Sequence, residues 1–455
     1  MRILLLAVVL PVPVLGFPSM KNANPEVLER AAKLADRTTA QYVRRQSIPS
    51  DPLGFSASET NCGPTPCLTF DEADQLVSTT GDHAYASPAV DEIRGPCPGL
   101  NAAANHGYLP RSGIVSVKEA ILGLGAAYNL APEVSALLAA YAVAVDGNII
   151  EGLWSIGGPL PGDPGVPGLI RNGQGISYSH NNFEGDSSIA RFDAYTNNGD
   201  AHSLDISKFE AVYAIGGNDT SEDGFGQRYT LDLFRQHREQ VQNDAIVSNP
   251  YFFTGAFSTL FVVPGAYGFV ITLMSNHTAE EPSGYLDGYN FKSFFGISGA
   301  PGSFVWNKGQ ERIPDNWYRR PSTNQYTAVE VAIDVATGYV AYPGSLKIGG
   351  NTGTPNSFVG VSVENLTSGV YNAETLFEGD NFACFVFNVA KQGLPDFLQG
   401  AASALNNATA FLQQYLSPII SELNCSQLAQ YDAGVLNSFP GYHYSPIGPD
   451  NNYKK

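Results

Sequence analysis

The sequence predicts a mainly α protein: a single compact helical domain with long Gly/Pro-rich loops and one or two small β-hairpins. Three features of the 455 residues point that way. Helix-start signals recur ahead of segments whose apolar residues fall three and four apart. Only residues 326–347 keep the two-residue rhythm of strands. Gly (47) and Pro (30) gather between these segments, where they make connections.

Taken in order, residues 25–46 read as a helix, with Asn24 as cap and Pro25 in the first turn. Residues 47–98 are rich in Pro, Gly, Ser, Asp and Cys and read as loop. Ser116 and Glu119 form a capping box for a helix reaching about Tyr128. A second helix starts near Pro132 and runs through Ala144. It is apolar nearly all round, which predicts burial. Residues 155–178 read as loop. Thr230 caps a helix to about Val247, and Asn249-Pro250 then breaks the chain. From Phe252 to Met274 the sequence is apolar and interrupted at Pro264-Gly265, which predicts two buried helices. Thr327, Val329, Val331 and Ile333, then Tyr339 and Val340 around Thr337-Gly338, predict a hairpin. Pro395 to Leu416 is amphipathic through Phe397, Leu405, Phe411 and Leu412, and Pro418 ends or kinks it.

Composition excludes several classes. The chain is 43% hydrophobic and 15% charged, too apolar for a disordered chain and too weakly charged for a coiled coil. A net charge of −18 argues against nucleic acid or an anionic membrane as partner. Arg2, the apolar run Ile3–Leu10 and a small residue at Gly16 have the pattern of a secretory signal peptide over residues 1–16. Secreted, extracellular localisation follows as an expectation, and five Asn-x-Ser/Thr acceptors beginning at Asn218, Asn276, Asn365, Asn407 and Asn424 fit a glycoprotein. Residues 17–60 read as a leader or extension, and 61–455 as the folded domain. In an oxidising compartment the five cysteines, Cys62, Cys67, Cys97, Cys384 and Cys425, leave one over after two bridges.

Common catalytic motifs are absent: no HExxH, GxSxG, P-loop or CxxC occurs. Two segments carry chemistry instead. In Arg94-Gly-Pro-Cys97-Pro98-Gly99-Leu100-Asn101, Pro98 pushes Cys97 out of helical geometry and suits the first helical position itself. Cys97 then stands where an N-cap stands, with the free N–H groups of Gly99 and Leu100 and the helix dipole favouring thiolate. Gly99, lacking Cβ, lets a large flat group approach. The arrangement suits a soft metal ion or a nucleophile; the plainer reading is a disulfide partner or an inert buried thiol. In Phe183-Glu184-Gly185-Asp186-Ser187-Ser188-Ile189-Ala190-Arg191, clustered oxygens suit a hard cation, Mg²⁺ or Ca²⁺ ahead of zinc.

Together, Pro-Cys97-Pro with the downstream Asn105-His-Gly-Tyr-Leu-Pro-Arg111 and Glu-Gly-Asp with its trailing Ser and Arg resemble the fungal heme-thiolate peroxidase family, chloroperoxidase and the unspecific peroxygenases. The resemblance covers residues 90–260 well and 325–425 more thinly. It implies a heme b cofactor with Cys97 as ligand to the heme iron. It also implies hydrogen peroxide and a small organic substrate as reaction partners. It further implies that Glu184, the Gly185 carbonyl and Ser188 bind Mg²⁺, with Asp186 and Arg191 supporting that site and Phe183 in an aromatic pocket wall. The same resemblance pairs Cys384 with Cys425, and Cys62–Cys67 closes a tight loop through Pro64 and Pro66.

The sequence departs from the family at the acid–base position. The family's peroxygenases carry a distal Glu with an Arg two turns earlier, and here Phe269 and Val262 align with them. No Asp, Glu, His or Arg occurs from Tyr251 to Ser275. His180 is the nearest polar alternative for proton transfer. A heme-binding protein with weak or no peroxide turnover, and a heme-free secreted glycoprotein, are the rival readings.

Overall fold

The structure is a computed structural model. It describes residues 60–162, 173–371, 376, 381–392, 414, 432–444, 446–447 and 452–453. The signal peptide, the 25–46 helix, nearly all of the 17–60 extension, the 395–416 helix apart from Gln414, and Cys425 lie outside the described residues.

Helices dominate, as expected. They are α1 (Pro98–Asn105), α2 (Val117–Tyr128), α3 (Pro132–Asp146), α4 (Ile206–Ala214), α5 (Leu231–Ser248), α6 (Val263–Met274), α7 (Gly288–Phe295), α8 (Ala328–Ala341), α9 (Val363–Thr367) and α10 (Asn381–Gln392). Ser116 and Glu119 close the expected capping box on α2. Asn129, with φ 56°, ends α2 in the left-handed conformation that short polar side chains tolerate, and turns the chain directly into α3. The α3 helix is buried over most of its circumference against α2, matching its uniformly apolar sequence. Thr230 caps α5 by accepting from Leu233 N.

Strands are short. Ile114–Ser116 pairs antiparallel with Leu153–Ser155 and Ile297–Ser298 with Val305–Trp306, while Phe253–Thr254, Gly349–Gly350 and Val359–Gly360 form a three-stranded ribbon. An aromatic cluster of Phe209, Tyr213, Tyr229, Phe291, Phe295 and Phe304 joins α4 to α7. Among the described residues no helix is long and apolar enough to cross a membrane.

Two expectations are corrected. Residues 326–347 do not form a hairpin; Ala328–Ala341 is helix α8. Thr327 accepts from Glu330 N, and the Glu330 carboxylate accepts from Thr327 N. This capping box outweighs the β-branched alternation, because Val331, Ala332 and Val335 all become buried on one helix face. The two helices expected between Phe252 and Met274 are one. A π-helical segment, Ser258–Val262, runs without a break into α6. The wide turn accommodates Pro264, which lacks an N–H and crowds the carbonyl one turn back.

Candidate active site

Cys97 caps α1 in extended geometry (φ −93°, ψ 109°) with Pro98 as the first helical residue. The turn that presents it is fixed from three sides. Asn101 Oδ1 accepts from Gly95 N (2.9 Å), and its Nδ2 donates to Gly95 O (2.8 Å). The Arg191 guanidinium donates to the Pro96 carbonyl. A Cβ on Gly95 would lie 2.1 Å from Ile156 O and 2.5 Å from Gly157 Cα, both backbone atoms. Gly95→Ala is therefore expected to lower stability by about 1–3 kcal/mol through forced backbone displacement; equal unfolding midpoints in urea for both proteins would contradict this packing.

Among the described residues Cys97 is the cysteine left with a free thiol. Cys62 and Cys67 form the expected disulfide, and Cys384 is also disulfide-bonded. Cys97 sits deep in the protein yet retains surface, because it opens into a cavity of about 220 Å³ (the space open to the centre of a water-sized sphere). The walls come from α1, α2, α3, α6 and the 183–191 segment, and include Leu138, Ala139, Phe261, Val270 and Leu273. Gly99 is on the same wall, where a Cβ would meet nothing closer than Met274 at 3.5 Å. The large, apolar, partly open space beside a thiol fits a flat hydrophobic prosthetic group.

The thiol itself differs from the sequence expectation. Burial raises the Cys97 pKa above its ordinary value; the N–H of Leu100, the Arg191 charge and the N–H of Gly99 pull it down without overcoming burial. The helix-start geometry is thus as expected, but without a metal the protein favours thiol. A bound cation reverses that balance, since a coordinating thiol is deprotonated.

Glu311 lies behind the same helix. The residue is 4% exposed, and burial pushes its pKa up to about 7 against the partial relief of its own backbone N–H, Asn101, Arg94 and Arg191. A carboxyl raised in the folded state adds stability at low pH, and that stability fades as pH rises from about 4.5 through about 7. Glu311→Gln is expected to be close to neutral at pH 5 and stabilising at pH 8, by about 3 kcal/mol at most. Thermal melts of both proteins across this range check the sign.

Glu184 reaches the cavity from the 183–191 segment, with Phe183, Ser188 and Arg191 also on the wall. Phe183 packs edge-on against Tyr141, at 5.3 Å between ring centres. Glu184 Oε2 lies 2.6 Å from His180 Nδ1, while Oε1 is buried without a partner. Ser188 Oγ donates to the Gly185 carbonyl (3.0 Å). Of the three oxygen donors expected to hold a hard cation, Ser188 Oγ and the Gly185 carbonyl are in contact, and Glu184 has one oxygen unused. Gly185, Asp186 and His180 do not line the cavity. Burial pulls His180 down, but Glu184, Asp186 and Asp193 outweigh it and leave its pKa raised.

Asp186 does not act alone. Asn249 Nδ2 donates to Asp186 Oδ2 (3.2 Å) and to Asp193 Oδ2 (2.9 Å), and Asp186 Oδ1 accepts from Ala194 N (3.2 Å). Burial, then the Asp193 charge, pushes Asp186 well above the usual carboxylate range, and burial also raises Asp193. Asp193 and Asn249 were not singled out in the sequence; an Asn-Pro ending a helix was the one visible signal. Arg191 differs too: its bonds run to the Pro96 and His202 carbonyls, so it braces the Cys97 turn.

Val262 and Phe269 both line the cavity, so apolar side chains stand on the helix where the sequence comparison set a distal Arg and Glu. Among the described residues, the one group of three metal-type ligands close together is Cys62, Cys67 and His277, and its two sulfurs are already joined to each other.

A helical fold around an apolar cavity with a free thiol at a helix start agrees with what the comparisons show: the chain belongs to the family described as Peroxidase, family 2, whose model matches residues 83–322. It is similar to the dothistromin biosynthesis peroxidase dotB of Dothistroma septosporum, 38% identical over 380 residues, covering 83% of this chain and 88% of that one. The aromatic peroxidase fscJ of Fusarium equiseti is 33% identical over 389 residues (82% and 87%), and an aromatic peroxygenase of Cyclocybe aegerita is 31% identical over 322 (69% and 72%). The protein is a peroxidase-type enzyme of the fungal heme-thiolate peroxidase family, and that family implies heme, peroxide and organic substrates. The reading as a heme binder without turnover is not favoured.

Proposed function

We propose that this is a secreted heme-thiolate peroxidase or peroxygenase in which Cys97 Sγ holds the heme iron and hydrogen peroxide oxidises or oxygenates a small organic substrate. The observation that carries the reading is the free Cys97 thiol opening into the apolar cavity. A heme bound there supplies the oxidising centre, and a thiolate ligand donates electron density that favours cleavage of the peroxide O–O bond.

The chain's own residues supply the rest. Arg191 and Asn101 fix the Gly95–Cys97 turn, so that Sγ is held in one direction. The apolar wall excludes water and favours apolar substrates. Glu184 Oε1, the Gly185 carbonyl and Ser188 Oγ would hold Mg²⁺, whose preference is for oxygen donors. His180 holds Glu184 through Oε2, and Asp186 stands within 4.0 Å of His180 Nε2. With Val262 and Phe269 apolar, proton movement beside the cavity falls to His180, which bonds to Glu184 Oε2 behind the wall. Secretion is supported by the residue 1–16 pattern and by the Asn-x-Ser/Thr acceptors.

The test is turnover. Secreted protein is assayed for heme by the pyridine haemochrome, then for peroxide-dependent oxidation of a phenol and an aryl ether. Rates well above those of the same amount of free heme are expected; rates equal to free heme reject the reading.

A further inference from the structure

Arg238, on α5, is 3% exposed, and among the described residues none of its three guanidinium nitrogens has a hydrogen-bond partner. It lies over the Tyr267 ring, 5.7 Å from the guanidinium carbon to the ring centre. Burial pulls its pKa down to about 10, which leaves it charged at neutral pH. A buried cation with neither a counter-charge nor hydrogen bonds is strongly unfavourable.

The guanidinium borders a second cavity, of about 30 Å³ on the same measure, behind α6. Arg235, Tyr267, Asp334, Gly338 and Ser345 also line it. One water-sized occupant needs about 10–15 Å³ on this measure, so one small ion fits and an organic anion does not. The charges on the wall are two guanidiniums and one carboxylate. That carboxylate is engaged elsewhere: Asp334 accepts from Arg235 (3.3 Å) and from the Tyr326 hydroxyl. Tyr267 lines both cavities and forms the partition between them.

We propose that this second cavity binds one small monovalent anion, of chloride or bromide size, which neutralises Arg238. The anion would accept hydrogen bonds from the guanidinium nitrogens that now have none, and would steady the Tyr267 partition from behind. The site is separate from the heme cavity and does not depend on heme binding or turnover.

Crystals of the full protein grown with bromide test this by anomalous scattering. A bromide peak within hydrogen-bond distance of the Arg238 guanidinium, lost in Arg238→Met, is expected. A water, a carboxylate or nothing at that place, in crystals that bind bromide elsewhere, overturns the proposal. In solution, replacing gluconate by chloride at constant ionic strength is expected to raise Tm by about 2 °C in the native protein and not in Arg238→Met. Equal shifts in both also overturn it.

Discussion

Cys97→Ala is expected to abolish peroxide-dependent oxidation down to the level of free heme, while the protein still folds. The substitution removes the free Cys97 thiol that faces the cavity and leaves the turn intact. Asn101 still bonds to both backbone groups of Gly95, and Arg191 still bonds to the Pro96 carbonyl. Neither contact uses the sulfur, so melting temperature and far-UV circular dichroism should change little. Full activity in Cys97→Ala would mean that another group holds the cofactor.

Glu184→Gln is expected to lower kcat by about 10- to 100-fold, the usual range for weakening a metal site and the groups that orient it. It keeps the shape of the wall but removes the charge that faces the cavity and His180. The amide is also a poorer ligand for a hard cation than the carboxylate. Ligation by Cys97 should survive, so the optical spectrum of the heme stays unchanged while turnover falls. His180→Ala should act in the same direction and more strongly, by about 10²- to 10⁴-fold, because it removes the proton-transfer group itself. Unchanged kcat in His180→Ala would move proton transfer to some other group.

Much of the site was legible because its signals are local. Pro-Cys97-Pro marks a helix start within three residues, and the structure puts Cys97 at that start. Phe183, Glu184 and Ser188 reach the cavity together from one short segment. The Ser116–Glu119 box, the Pro132 start and the Thr230 cap located α2, α3 and α5 for the same reason. What failed depended on partners distant in sequence or on competing local rules. In α8, β-branched residues fit a helix face as well as a strand, and the Thr327–Glu330 box decided between them. Arg191 sits beside the Glu184 cluster in sequence but bonds to a carbonyl 95 positions away. Asn249 joins Asp186 to Asp193 across 63 and 56 positions. Glu311 reaches the Cys97 helix through Asn101, more than 200 positions earlier. No periodicity or motif encodes such meetings; packing of the apolar helices brings them about.

The central claim is that the Cys97 sulfur holds the heme. The most direct measurement is the absorption spectrum of the heme-replete protein after reduction and addition of CO. A strongly red-shifted Soret band, the signature of thiolate ligation, is predicted, and it should vanish in Cys97→Ala. A Soret band at the position given by a neutral nitrogen ligand, or a red-shifted band that persists in Cys97→Ala, would contradict the assignment.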